Sequence, residues 1–209
     1  LGSSGGGNHF VEFGRISLQA DNVLGVPEGS YAALLSHSGS RGLGAAIAKH
    51  YSLLARDICR LPREAQHFAW LGLDTEEGQE YWLSMNLAGD YARACHERIH
   101  LNLAKALGLK PLANVNNHHN FAWKEELASG QTAIVHRKGA TPAQKALPGL
   151  IPGSMATPGY LVCGKGVGEA LCSASHGAGR AMSRQKAKDS FTQSALKKYL
   201  SQAGVTLIG

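Results

Sequence analysis

"DTEEGQEYWLSMNLAGDYARACHERIHLNLAKALG" (residues 74–108) predicts the longest helix of the chain and sets the helical layer of its fold. Asp74 together with Glu77 predicts the N-terminal cap. Gly108 predicts the end, because glycine readily adopts the left-handed conformation that closes many helices. A helix with one apolar face must pack against another layer. Its apolar face, at helical spacing, consists of Tyr81, Met85, Ala88, Ala92, Cys95, Ile99 and Leu103.

The segments around this helix predict the other layers. Apolar residues recur at helical spacing again from Leu43, at Ile47, Tyr51, Leu54 and Ile58. Shorter helices are expected over residues 180–191 and 193–202. Apolar runs predict strands in "FVEFGRISL" (10–18), "SYAALLSH" (30–37), "TAIVHRKG" (132–139) and "GYLVCGK" (159–165). We therefore predict an α+β fold, with a mostly antiparallel sheet core, packed helices and a single domain over residues 1–209.

The composition indicates a cytoplasmic protein with a phosphate-bearing partner. The 209 residues are 44% hydrophobic and 17% charged, as in globular domains, and no apolar run is long enough to cross a membrane. A net charge of +6 favours nucleic acid or a nucleotide as the partner and gives no reason to expect a membrane. The four cysteines form no C-x-x-C pair, so neither a zinc ribbon nor a disulfide framework is expected.

Histidines in polar or glycine-rich loops are the candidate functional residues. His9, His37, His119 and His176 each lie in a polar or glycine-rich setting, and neutral imidazole is a common ligand of divalent transition metals. Each of them alone has the simpler explanation of a hydrogen bond to the backbone. If residues 118 and 119 are extended, only one of these two adjacent histidines can point into a given site. The histidines in or near helices show no recognisable motif and are assigned packing or surface roles; these are His50, His67, His96 and His100.

Six short motifs occur together and carry a family resemblance. Taken in order, they are "GGGNHFVE" (5–12), "HSGSRGLG" (37–44), "NHHNF" (117–121), "HRKGA" (136–140), "IPGSM" (151–155) and "SHGAGRAMSR" (175–184). In this order they closely resemble the RtcB family, the 3′-phosphate RNA-splicing ligases. The resemblance extends from the first residues to about Lys188 and implies an RtcB-like catalytic domain.

The resemblance implies a GTP-dependent RNA ligase that uses two Mn²⁺ ions. Its substrates are an RNA end with a 3′-phosphate or 2′,3′-cyclic phosphate and an RNA end with a 5′-hydroxyl, joined in RNA repair or tRNA splicing. The nucleophile is the histidine of "SHGAGR", here His176, which takes GMP from GTP. A covalent nucleophile divides one difficult step into easier ones.

The resemblance also assigns the binding residues. The metal ligands are His9, His37 and His119. The GTP or GMP contacts are Asn8, His9, Phe10, Val11, Glu12, His119, Asn120, Pro152, Gly153, Ser154, Met155, His176, Gly177, Ala178 and Gly179. From their charge alone, Arg41, Arg137 and Arg180 are further candidates for phosphate contacts.

Some features of the family are absent from this sequence. The Asp-x-Gly-Cys-Gly motif that supplies two further metal ligands does not occur, nor does the family's C-terminal lysine near guanine. Gly159 and Ala156 stand where serine and glycine are usual, which leaves guanine selectivity open. We therefore expect that the chain lacks an N-terminal part and a C-terminal end. Residues 1–209 alone would then neither ligate RNA nor hold metal tightly, and a missing N-terminal segment would be a partner chain.

Two other functions fit the same residues. One is a guanylyltransferase paralogue that caps or repairs other nucleic-acid ends. The other is a catalytically silent RNA-binding fragment, whose RNA affinity would be salt-sensitive and would survive loss of GTP and metal.

Overall fold

The computed structural model describes residues 1–6, 9–127, 129–177, 179 and 181–208. The chain folds into two compact units. Unit 1 contains Leu1–Ala20 and Val26–Leu112, and unit 2 contains Asp21–Gly25 and Ala113–Gly209. The expected single domain over residues 1–209 stays a prediction.

Unit 1 consists of a β-hairpin and two helices. Strands β1 (Phe10–Leu18) and β2 (Gly29–His37) are antiparallel, with Phe10 opposite His37. Helices α1 (Leu43–Cys59) and α2 (Glu76–Ala106) pack on each other, and a short 3₁₀ turn lies between them in sequence. Helix α2 also contacts β2. The apolar face predicted for α2 is confirmed in part, since its buried members are Ala88, Cys95 and Ile99.

The N-terminus of α2 differs from the prediction by one residue. The cap is Thr75, not Asp74: the Thr75 hydroxyl accepts a hydrogen bond from the Gly78 amide at 3.1 Å. Thr75 has the extended backbone of a cap residue, so the oxygen that reaches the free amides is its own. The predicted end is confirmed, because Gly108 follows the helix with a φ of +65°.

Unit 2 consists of short strand pairs followed by two helices. The strands are β3 (Asn120–Glu126), β4 (Thr132–Lys138), β5 (Ala140–Pro142), β6 (Pro148–Ile151), β7 (Tyr160–Cys163) and β8 (Ser173–Ser175). Antiparallel pairs form between β3 and β4, β5 and β8, and β6 and β7. The helices are α3 (Arg184–Ser190) and α4 (Gln193–Gln202). Buried residues include Ala122, Val135, Thr141 and Leu200.

The α+β class is confirmed, and the strand pairs described in both units are antiparallel. The expected strands correspond to β1, β2, β4 and β7, whereas β3, β5, β6 and β8 were not predicted. The helix expected over residues 180–191 begins at Arg184. In the described part of the chain no helix combines the length and the apolar character that crossing a membrane requires. The four cysteines are free.

Candidate active site

Two of the predicted site histidines stack on each other in unit 2. The rings of His119 and His176 have centroids 4.9 Å apart and lie 19° from parallel. His119 directly precedes β3, and His176 directly follows β8. Both side chains are half-buried. Stacking aligns the planes of the two rings.

Gly139 connects the chain segments that carry these two rings. Its amide donates to the His119 carbonyl at 3.0 Å and to Asn120 Oδ1 at 3.1 Å. Its carbonyl accepts from the His176 amide at 3.3 Å. Gly139 has a φ of +71°, and a Cβ there would lie 3.4 Å from the His176 ring. The sequence placed Gly139 in the motif "HRKGA" but gave no sign of this role.

The segment Pro152–Met155 forms a turn after β6. The Thr157 hydroxyl accepts from the Ser154 amide at 2.7 Å, and the Thr157 amide donates to the Ser154 carbonyl at 3.2 Å. A Cβ at Gly153 would overlap the carbonyl oxygens of this turn, so only glycine fits. The turn lies beside the segment that begins at His176, since a Cβ at Gly177 would lie 3.6 Å from the Pro152 carbonyl oxygen. Two of the segments assigned to GMP are therefore neighbours.

In unit 1 the open end of the β-hairpin brings His9 and His37 together. Phe10 pairs with His37 across β1 and β2, and their rings are 5.6 Å apart. The His9 and His37 rings are 6.0 Å apart. Val11 and Glu12 continue β1 from Phe10, and burial raises the pKa of the Glu12 carboxyl. Phe10, Val11 and Glu12, which were assigned to GMP, therefore lie in one strand. The predicted metal ligands His9 and His37 lie next to them.

His9 meets one test of a metal ligand. Its Nδ1 is buried and has no hydrogen-bond partner among the described residues. Gly5 leaves room for this nitrogen, because a Cβ there would overlap both His9 Nδ1 and the Arg41 guanidinium. An unsatisfied buried ring nitrogen is costly unless another group binds it, so His9 fits an ion. No three His, Cys, Asp or Glu side chains in the described ranges are grouped to hold a metal.

His96 and His100 were assigned packing or surface roles, and the structure places them beside the His37 segment. Ser36 Oγ is 2.7 Å from His96 Nδ1 and 2.9 Å from His100 Nε2. Burial is the main cause that lowers the pKa of each ring. The spacing of His96 and His100 in the sequence could have indicated that they act together, since residues four apart share one face of a helix.

Arg137 and Arg41, two of the arginines predicted to contact phosphate, differ in their burial and their bonding. Arg137 is 2% exposed, and four of its five N–H donors are used within unit 2. They bond to both oxygens of Glu125, to Ser173 Oγ and to the Leu171 carbonyl. The phosphate role predicted for Arg137 is therefore wrong, since these bonds stabilise unit 2. Arg41 is exposed beside Gly5, which suits a phosphate contact.

Three predicted residues lie outside the described residues, namely Asn8, Ala178 and Arg180. The predicted metal ligands divide between the units, with His9 and His37 in unit 1 and His119 in unit 2. A depression of about 500 Å³ in unit 2 includes Glu125 and Glu126 in its lining and none of the predicted site residues. Its carboxylates do not suit a phosphate.

Comparison with known proteins supports the family resemblance that was found from the six motifs. The family model described as "tRNA-splicing ligase RtcB" matches residues 1–208. The chain is 33% identical over 206 residues to the RNA-splicing ligase RtcB of Escherichia coli strain K12, covering 92% of this chain and 48% of that protein. It is 31% identical to the tRNA-splicing ligase RtcB of Methanococcus maripaludis, covering 100% of this chain and 50% of that protein. The chain thus spans about half the length of these relatives.

Proposed function

Because the chain belongs to the RtcB family, we propose that it takes part in GTP-dependent ligation of RNA. The reaction joins an RNA 3′-phosphate, or a 2′,3′-cyclic phosphate opened first by water, to an RNA 5′-hydroxyl. GTP is a substrate, RNA repair or tRNA splicing is the biological role, and the cytoplasm is the compartment. The observation that carries the proposal is the stacked pair of His119 and His176 in unit 2.

His176 is the nucleophile of the first step. A ring nitrogen attacks the α-phosphorus of GTP, a P–N bond forms, and the P–O bond to the leaving pyrophosphate breaks. The RNA 3′-phosphate oxygen then attacks the same phosphorus and frees His176. Finally the 5′-hydroxyl attacks the RNA 3′-phosphate, loses its proton and displaces GMP, which leaves a phosphodiester. The stacked His119 ring and the Gly139 hydrogen bonds keep the His176 ring in place for the first two steps.

Manganese is the proposed metal, with His9, His37 and His119 as its ligands, as the resemblance implies. The buried Nδ1 of His9, which has no hydrogen-bond partner among the described residues, supports the assignment of His9. Bound Mn²⁺ would supply positive charge that offsets the charge on phosphate oxygens. Two ions are expected, as the resemblance implies. Neutral imidazoles bring no negative charge of their own, so further oxygen-rich or anionic ligands would strengthen the site.

The segments proposed to contact the nucleotide are Asn8–Glu12, Asn120, Pro152–Met155 and His176–Gly179. In unit 2 the approach of Gly177 to Pro152 supports joint contact of their two segments with one nucleotide. Glycines allow backbone amides to come close to phosphate oxygens, which side chains would otherwise prevent.

A catalytically silent RNA-binding protein is the second candidate. The observation in its favour is that the described residues contain no group of three metal-binding side chains. Binding without turnover would appear as RNA affinity that falls with salt and does not require GTP or Mn²⁺. A paralogue that transfers GMP to other nucleic-acid ends would label those ends and leave them unjoined.

A ligation assay separates these functions. The full-length protein is mixed with a 3′-phosphate RNA, a 5′-hydroxyl RNA, GTP and Mn²⁺, and the joined product is measured on a denaturing gel. We expect product from the wild-type protein, none from His176→Ala, and wild-type yield from His67→Ala, because His67 is exposed on the 3₁₀ turn of unit 1. Equal ligation by His176→Ala would refute the proposal. RNA binding without product would favour the silent protein.

A further inference from the structure

His96 and His100 form, with Ser36 and Ser38, a hydrogen-bonded group that the proposed reaction does not use. The two histidines lie one turn apart on α2, and the two serines lie at the end of β2. Ser36 Oγ contacts His96 Nδ1 at 2.7 Å and His100 Nε2 at 2.9 Å. The Ser38 amide donates to His96 Nε2 at 3.3 Å. We call these four residues the histidine clamp.

Each hydrogen bond of the clamp has one possible donor and one possible acceptor. A backbone amide can only donate, so His96 Nε2 is the acceptor and the proton of the neutral ring is on Nδ1. His96 Nδ1–H then donates to Ser36 Oγ. The Ser36 hydroxyl has its own proton left to donate to His100 Nε2. Each donor meets one acceptor, so the orientation of the His96 ring is fixed at both nitrogens.

The residue enclosed by the clamp is His37. Ser36 precedes His37 and Ser38 follows it, so the two bonds of His96 hold the chain on both sides of His37. The other partner of these bonds is helix α2, where the flanking residues Cys95 and Ile99 are 0% and 4% exposed. The clamp therefore ties a segment at the end of a strand to a helix that is anchored in the core of unit 1.

We propose that His96 is a positioning residue that holds the Ser36–Ser38 segment so that His37 meets Mn²⁺ in a fixed orientation. The inference rests on the proposed function, in which His37 is a metal ligand. Partners that orient metal ligands commonly change metal affinity by about 10- to 100-fold when they are removed. His100 supports the same segment through Ser36 alone and should matter less.

No motif was assigned to His96 and His100 from the sequence, yet "HERIH" (96–100) has the spacing of the paired histidines of helical zinc sites, with Glu97 after the first histidine. The contacts argue against that assignment. Both nitrogens of His96 already have hydrogen-bond partners, so neither has a lone pair directed at an ion. Glu97 is exposed on α2. The clamp therefore acts through His37 and does not bind the metal itself.

The test measures the Mn²⁺ affinity of the full-length protein without GTP or RNA, from the electron paramagnetic resonance signal of free Mn²⁺. His96→Ala should weaken binding about tenfold. His96→Asn keeps a donor near the Nδ1 position and His96→Gln keeps an acceptor near Nε2, so each should recover part of the loss. Ser36→Ala removes one hydroxyl and should give a smaller loss than His96→Ala. His67→Ala is the control, and thermal unfolding of each variant shows that the fold is retained.

Combining variants separates positioning from ligation. If His96 acts through His37, the double variant His37→Ala/His96→Ala should bind Mn²⁺ as weakly as His37→Ala, because the clamp has nothing left to position. In the metal-free wild-type protein, the ¹⁵N spectrum of His96 should show a protonated Nδ1 and an unprotonated Nε2.

The outcomes distinguish this inference from the proposed function. Unchanged Mn²⁺ affinity in His96→Ala and Ser36→Ala would overturn the inference alone, as would additive losses in the double variant or a protonated His96 Nε2. Zinc binding that is abolished only by His96 or His100 variants would replace it with a metal site on α2. A wild-type protein that binds no Mn²⁺ would overturn the metal role of His37 and the inference together.

Discussion

Gly139 connects the backbones of the two candidate site histidines in unit 2, His119 and His176. It bonds to the backbone of both His119 and His176, and its φ of +71° lies in the left-handed region. A residue with a Cβ pays about 1 kcal/mol or more there. The same Cβ would lie 3.4 Å from the His176 ring, at the limit of ordinary van der Waals contact. A substitution at Gly139 therefore affects the backbone first and reaches the surroundings of the His176 ring as well.

Gly139→Ala should slow the transfer of GMP to His176 by about tenfold or more. This corresponds to a rise of about 1.4 kcal/mol in the activation free energy, caused by a misplaced His176 ring. The matched control is Gly130→Ala, since Gly130 has a similar φ of +78° and open space around its Cβ position. Both variants should lose similar stability in urea, but only Gly139→Ala should lose rate. Equal rates in the two variants would show that Gly139 does not position His176.

The sequence alone could nominate His176 and His119 as site residues but not Gly139, because the partners of Gly139 lie far along the chain. For Arg137, the alternation of residues along its strand could have indicated that its side chain is buried. In β4 the buried residues Val135 and Arg137 alternate with the exposed His136, so Arg137 lies on the inner face of the strand. A charged residue on that face needs a buried partner, and Glu125 provides it at 2.7 Å.

At the scale of elements, the contact between α2 and β2 should make unit 1 sensitive to acid. Burial lowers the pKa values of His96 and His100, so the unfolded chain binds more protons than the folded chain between those values and about 6.5. The free energy of unfolding should therefore fall as the pH falls from about 6.5 through the lowered pKa values, and then level off. Urea denaturation over a pH series measures this dependence.

The control is the double variant His96→Asn/His100→Asn, which cannot take up these protons. Its free energy of unfolding should vary less with pH across the same window. If the wild type and the double variant showed the same pH dependence, other groups would be responsible.

The longest elements were predictable from the sequence, whereas β3 and most of the three- and four-residue strands were not. Helices α1 and α2 and the strands β1 and β2 carry enough residues for their apolar periodicity to be recognised. Strands β5 and β8 have three residues each and exist because they pair with each other. The predicted cap at Asp74 was wrong by one residue, which is the usual precision for helix ends.

For the whole molecule, the prediction of a single domain can be tested by unfolding. Ile99→Val in unit 1 removes one buried methyl group and should cost about 1 kcal/mol. Arg137→Met in unit 2 leaves Glu125 without its partner and should cost about 3 kcal/mol. In a single domain both variants shift one common transition, seen by tryptophan fluorescence and by circular dichroism.

Arg93→Met is the control, because Arg93 pairs with Asp90 on the surface and its loss should change stability little. Two transitions, one shifted by each variant, would show that the units unfold independently. That result would contradict the single-domain prediction and leave the assignments within each unit intact.

The central claim is that His176 is the residue that receives GMP, and covalent labelling tests it most directly. The full-length protein is incubated with GTP labelled at the α-phosphate and with Mn²⁺, denatured, and digested for mass spectrometry. We predict an acid-labile GMP adduct on His176 that is lost in His176→Ala. It should be retained in His136→Ala, whose side chain is exposed in the same unit. Undiminished labelling of His176→Ala, or an adduct on another residue, would contradict the account.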